Sequence, residues 1–192
     1  SSGRGTVAVP SAACAARGVM GYRAFDAIIG ALAQIMPERA IAGCEGGPTL
    51  FSFGGRHEGK TFVLSEILVG TWGARAELDG VEGISNPAAN LSNTPVELIE
   101  AEMPLEVSEY SLVADSGGAG RRRGGLAFVR EFRILIDEAA CTIRTDRRSH
   151  PPYGLEGGNP GRGSSVLLNP GTSCERQLPT MPMEAITLHR GD

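Results

Sequence analysis

Eleven consecutive residues, Asp115 to Gly125 (DSGGAGRRRGG), contain five glycines and three arginines. Glycine is the default residue where a backbone takes positive φ or is closely approached. Arginine is the side chain for two-pronged recognition of carboxylate or phosphate. Strand-like runs flank the segment, Leu105–Val113 before it and Leu126–Ile136 after it. A chain built this way must turn tightly here beside a rigid element. Two readings stay open. The segment is an anion-handling or subunit-contacting loop, or it is a structural hairpin whose Asp115 caps the turn and whose arginines are solvated or paired with Glu106, Glu109 or Glu131.

The same economy runs through the whole chain. It carries 27 glycines in 192 residues, roughly twice the usual share of about 7%. They cluster at turn-like places without a collagen period, which predicts many short strands joined by tight turns. Apolar spacing of three and four predicts a helix over Tyr22–Met36, ended by Pro37, and the alanine-rich stretch Pro10–Val19 predicts a shorter one. Short strands are expected at Ala40–Cys44 and Thr49–Phe53, with a turn at Glu45–Pro48. A second turn is expected over Gly54–Gly59, leading into a strand at Thr61–Val69. Thr94-Pro95-Val96-Glu97 has a capping-box pattern and predicts a helix over Pro95–Glu102. Cys141–Thr145, Val166–Leu168 and Ala185–Leu188 complete the strands. The fold class is therefore α+β: strand-rich, Gly-rich in its turns, with few helices near the front, in one domain over residues 1–192.

Chemistry-bearing residues are sparse. Glu66 interrupts an apolar strand, and a buried carboxylate is costly unless partnered. With Trp72, Arg75 and Asp79 it forms a candidate acid–base constellation; the bland alternative leaves Ser65 or Glu66 facing water. Asn86, Asn90 and Asn93 could line a polar pocket, although Asn93 also suits a cap or turn. Of the three histidines, His150 sits among Arg147, Arg148 and two prolines, where a site mouth is plausible. No HxH or HExxH pair is present, so no metal is expected in this chain. Neither a GxSxG elbow, a GxxxxGK[ST] loop nor a GxGxxG turn occurs, so nucleotide is not expected to bind here. The net charge of −4 argues against general nucleic-acid binding. No run of eighteen apolar residues is found, so no transmembrane helix is expected. Cys14, Cys44, Cys141 and Cys174 lie far apart and read as free thiols of a reducing, cytoplasmic compartment.

Several stretches resemble, in order, the signature segments of the hydantoinase B / 5-oxoprolinase family. They are Glu66-Ile-Leu-Val-Gly-Thr-Trp-Gly-Ala-Arg75 with Asp79-Gly80; Asn93-Thr-Pro-Val-Glu97 through Pro104; Asp115–Gly125 followed by Phe128-Val-Arg-Glu-Phe132; and Pro152–Gly161. Thr71 stands where a second glycine is common. The resemblance implies an ATP-dependent enzyme that opens cyclic amides such as hydantoins, 5-oxoproline or lactams. An A-type partner would bind ATP and Mg and activate the amide carbonyl, in a cytoplasmic hetero-oligomer. Related members are ketone carboxylases, whose divalent metal is held by segments upstream of those matched here. A non-catalytic assembly lobe is the third alternative. The matching segments belong to the C-terminal part of a longer subunit, so the chain reads as that lobe. On this reading Glu66, Asp79 and Asp115 are the candidate catalytic residues. Arg121, Arg123, Asn93 and His150 are the candidate substrate- or anion-binding residues.

Overall fold

The computed structural model describes residues 17–47 and 49–192; the helix expected over Pro10–Val19 lies mostly outside them. The architecture is α+β and strand-rich. Helix α1 spans Arg17–Leu32, a 3₁₀ turn Pro37–Arg39 follows, and α2 spans Val96–Glu102. Strands β1 (Thr49–His57), β2 (Lys60–Leu68), β5 (Glu138–Arg144) and β8 (Ile186–His189) form one antiparallel sheet in the order β2-β1-β5-β8. Strands β3 (Leu105–Leu112) and β4 (Phe128–Ile134) form a second, two-stranded sheet, and β6 (Leu167–Leu168) pairs with β7 (Arg176–Gln177).

Alternation explains the core. Along β5 the residues alternate strictly between exposed and buried, as a strand with one solvated face should. Ala139, Cys141 and Ile143 point inward and meet Phe51, Phe53 and Leu64 from β1 and β2. Phe132 of β4 closes over this face, with ring centroids 4.9 Å from Phe51 and 5.3 Å from Phe53. The β3–β4 hairpin thus sits on the four-stranded sheet, and α2 packs Ile99 into the same core.

Several expectations need correction. Ala40–Cys44 is not a strand, only an isolated bridge between Ile41 and Arg75. Its backbone is claimed by separated partners: Ala42 donates to Ala74 and Gly43 to Tyr153. Gly54 and Gly55 lie inside β1, not in a turn. The reversal is Glu58-Gly59, both at positive φ, the two-residue geometry that matches strand twist. The helix after Thr94 has Pro95, not Thr94, at its cap, and a proline ring has no side-chain oxygen to accept the first amides. The two-residue strand β7 is too short to leave a periodicity.

Helix α1 begins earlier and ends earlier than its apolar spacing predicts. Its one fully buried side chain among the described residues is Asp26, while Met20, Ile28, Leu32 and Ile35 are exposed. No helix among the described residues is long and apolar enough to cross a membrane.

Candidate functional site

Three of the glycine-rich segments meet at one corner. Gly80 N donates to Arg123 O at 2.7 Å, and Gly125 N donates to Trp72 O at 3.1 Å. Asn159 N donates to Ala119 O and Arg162 N to Ser116 O, both at 2.8 Å. Ser116 Oγ donates to Val113 O and accepts from Ala127 N, each at 2.7 Å, which closes the neck of the 116–126 loop. A Cβ at Gly80 would run into the backbones of Gly125, Trp72 and Gly124, and one at Gly118 into Asn159. Glycine is required at these places because backbone packs on backbone. Trp72 anchors the corner through Nε1–H to Ser85 O at 2.6 Å.

The corner decides what the arginines do. Arg123 pairs with Glu82 at 2.6 Å, and its backbone N–H goes to Asp79 Oδ1 at 2.8 Å. That hydrogen bond from Arg123 holds the Glu82 carboxyl below its usual range. Arg121 and Arg122 share Glu77 at 3.7 and 3.6 Å. Their partners therefore come from the 77–82 segment, not from Glu106, Glu109 or Glu131; Glu106 pairs with Arg133, and Glu131 accepts from Ser108. Two guanidiniums facing one carboxylate leave one positive charge over, and Arg121 is 80% exposed.

Glu66 lies on the inward face of β2, while Ser65 points outward to Ser52. Its Oε2 pairs with Arg130 Nη1 at 2.8 Å, the two side chains being 5% and 0% exposed. Its Oε1 accepts the Thr94 N–H, and Arg130 Nη2 donates to Thr94 O at 3.1 Å. The Arg130 guanidinium also lies 4.9 Å from the Tyr110 ring and 5.2 Å from that of Phe132, within cation–π range. Tyr110 donates to Asn93 Oδ1, and Asn93 Nδ2 donates to Ile67 O. Glu66 and Asn93 thus belong to one network, buried at the Glu66–Arg130 pair and exposed at Tyr110, tying β2, β3, β4 and the start of α2.

A second buried network joins α1 to the loop after β5. Arg147 pairs with Asp26, and Arg23 grips Asp146 through two hydrogen bonds. Tyr153 donates to Asp26 O at 2.8 Å. Burial pushes the Asp26 carboxyl above its ordinary value despite Arg147. Burial acts the same way on Asp146, but the hydrogen bonds from Arg23 and the Arg147 N–H, with the charges of both arginines, together outweigh it and hold that group low. Next to these pairs, the Glu45 carboxylate has no arginine partner among the described residues; Arg147 Nε donates only to its backbone O, at 3.2 Å. Burial raises its carboxyl to about 7, opposed by the backbone amides of Thr71, Gly70 and Asn86 that point at it; Thr71 N lies 2.8 Å from Oε2. Burial also raises Cys44 and Cys141 to about 12, so neither is a thiolate nucleophile at neutral pH.

Glu45 has a stability signature. An acid with a raised folded pKa stabilises the fold fully below its unfolded value, near 4.5, and loses that contribution as pH rises through about 7. Glu45→Gln is therefore expected to flatten the decline in Tm between pH 4.5 and 7, read by calorimetry on the full-length subunit. An unchanged slope would contradict the burial of this carboxyl.

Both networks and the corner border a cleft of about 1310 Å³, lined among others by Glu45, Phe51, Trp72, Arg121, Phe132 and Arg147. Of the residues singled out from sequence, Trp72, Arg75 and Arg121 line this cleft, and Asn90 and Asn93 line a smaller one of about 540 Å³ with Trp72 and Tyr110. Asp79, Asp115, Arg123 and His150 are exposed on loops, Asp115 at positive φ. The corner does not fit a nucleotide triphosphate: the N–H groups of Arg123, Gly124 and Gly125 are already donated within the protein, and no helix follows. Among the described residues no group of three or more His, Cys, Asp or Glu is arranged to hold a metal. Sequence reasoning missed Asp26, Arg147 and Glu45. For Glu45 a signal existed: a carboxylate inside the small, apolar run Ile41-Ala-Gly-Cys-Glu-Gly-Gly47.

Residues 4–192 match the hydantoinase B/oxoprolinase family, and the chain belongs to it. It is 31% identical over 156 residues to the B-type subunit of a putative D-/L-hydantoinase from Pseudomonas sp. strain NS671, covering 81% of this chain and 26% of that protein. Two solved structures share the fold. The ATP-dependent caprolactamase of Pseudomonas jessenii superposes with a TM-score of 0.63 at 20% identity, over 84% of this chain and 29% of that one. A nucleotide-free acetone carboxylase superposes with 0.58 at 21% identity, over 76% and 20%. The chain thus spans about a quarter of the length of the Pseudomonas hydantoinase protein.

Proposed function

We propose that this chain is the C-terminal lobe of a hydantoinase B-type subunit that opens cyclic amides in an ATP-dependent complex. The observation that carries the reading is the family match over residues 4–192. Convergence of the matching segments on one corner beside the cleft agrees with it. The overall reaction consumes one ATP and two waters: one water adds across the ring amide, breaking the carbon–nitrogen bond and forming a carbon–oxygen bond to leave a carboxylate and a freed nitrogen group, and the other accounts for cleavage of ATP to ADP and phosphate. ATP with Mg belongs to the A-type partner, and a divalent metal, where one is used, to the remainder of this subunit.

In this chain, Arg121 offers the uncompensated charge at the cleft for a developing carboxylate or for the partner's surface, with Arg123 and Asp79 holding the loop in place. Glu66 and Asn93 shape the wall from behind, while Asp115 and His150 flank it from exposed loops. The fold shared with acetone carboxylase makes ketone carboxylation the second reading.

The test is ADP release by the full-length subunit with its A-type partner against hydantoin, 5-oxoproline, caprolactam, and acetone plus bicarbonate. Stimulation by a cyclic amide is expected. Stimulation by acetone and bicarbonate alone would replace the reading with the second one. Arg121→Ala is expected to lower kcat/KM roughly tenfold, about the 1.4 kcal/mol of one charged hydrogen bond. Loss of partner capture in a pull-down with unchanged turnover would make the loop an assembly surface instead.

A further inference from the structure

Resting on that reading, we infer that Glu45 is the acid–base group of the large cleft. It would take a proton from the attacking water and deliver it to the ring nitrogen as that leaves.

Geometry singles it out. Of the other carboxylates lining the cleft, Glu38, Glu77, Glu109 and Glu156 are exposed, Asp146 is gripped by Arg23, Asp192 accepts from Asn169 Nδ2 and the His189 N–H, and Glu131 accepts from Ser108. Asp26, next to the cleft wall, is taken by Arg147. Glu45 is held instead by neutral backbone donors, Thr71 N at 2.8 Å from Oε2 with the amides of Gly70 and Asn86 beside it. A carboxylate locked by an arginine stays ionised and exchanges protons poorly; one held only by amide donors in a buried place can serve at neutral pH. The charged and titratable groups around it are Asp26, Arg147, Arg23, Asp146, Cys44 and Tyr153. Of these, Asp26 acts on Glu45 in the same direction as burial, while the thiol of Cys44 is neutral at pH 7 and burial raises the phenol of Tyr153. The proton balance is closed: water loses one proton to Oε1 or Oε2, its oxygen bonds to the carbonyl carbon, and the same proton leaves on the ring nitrogen.

The test uses the full-length complex and the cyclic amide that the ADP-release panel identifies. Wild-type kcat/KM is expected to rise with pH through about 7 and then level off. Glu45→Gln is expected to lower kcat by two orders of magnitude or more, within the usual range for losing a general base, and to abolish that limb. Glu45→Asp, which keeps the carboxylate, is expected to recover part of the activity. A flat wild-type profile between pH 5.5 and 8.5 would overturn the inference without any variant, covering the case in which Glu45→Gln does not fold. A folded Glu45→Gln enzyme that keeps the limb would overturn it too, leaving Glu45 as a clamp on Gly70 and Thr71. A wild type silent to every cyclic amide would instead defeat the reading of the function on which the inference rests.

Discussion

Replacing Arg130 by alanine is expected to loosen the β3–β4 hairpin from the sheet. The change strands Glu66, whose side chain is 5% exposed, as an unpaired buried carboxylate, and breaking such a pair costs about 3–5 kcal/mol. It also removes the donor to Thr94 O and the contacts with Tyr110 and Phe132. In hydrogen exchange of the full-length subunit, amides of Leu105–Leu112 and Phe128–Ile134 should open roughly two to three and a half orders of magnitude faster. Replacing both partners together, Arg130→Met with Glu66→Leu, should restore most of the protection, because an apolar pair of similar volume needs no compensation. Protection unchanged in Arg130→Ala would show that the ion pair does not hold these elements together.

Gly80→Ala is the second large effect. The new methyl group meets backbone atoms of Trp72, Gly124 and Gly125, not side-chain tips that can swing aside. Relieving the overlap means separating the 70–82 and 116–126 segments and losing the Gly80–Arg123 and Gly125–Trp72 hydrogen bonds. A cost of roughly 3 kcal/mol, the top of the usual range for overpacking, is expected. Exchange should accelerate about a hundredfold in these two segments and much less in β5. Gly21→Ala is the control: among the described residues nothing lies within 4 Å of its Cβ position, so the substitution should raise helix stability slightly. Similar behaviour of the two variants would mean the corner is not close-packed.

These effects show which parts of the protein could be read from its residues. Strands were legible, since Cys141–Thr145 alternates and Thr61–Val69 is a largely apolar run, and both lie in one sheet. The flaw in β2 was legible as well: a carboxylate among apolar residues had to be either outward or partnered. Choosing between those outcomes required Arg130, 64 residues away. The density of glycine pointed to tight turns, but Gly54 and Gly55 sit in a strand while Gly80 and Gly118 serve contact between distant loops. A glycine does not announce which backbone approaches it. The Asp26–Arg147 pair spans 121 positions, and no local pattern links its members. Helix α1 misled for a related reason. Its apolar spacing predicts the buried face, yet Ile28 and Ile35 are exposed and a charged side is turned inward.

The most direct measurement is the ring-opened product itself. The full-length subunit and its A-type partner would be incubated with hydantoin, 5-oxoproline or caprolactam, with and without ATP, and the linear product quantified by mass spectrometry. The account predicts linear product only when ATP and both proteins are present, with one solvent oxygen incorporated from ¹⁸O-water. Ring opening by either protein alone without ATP, or label from ¹³C-bicarbonate appearing in a ketone with no cyclic amide consumed, would contradict it.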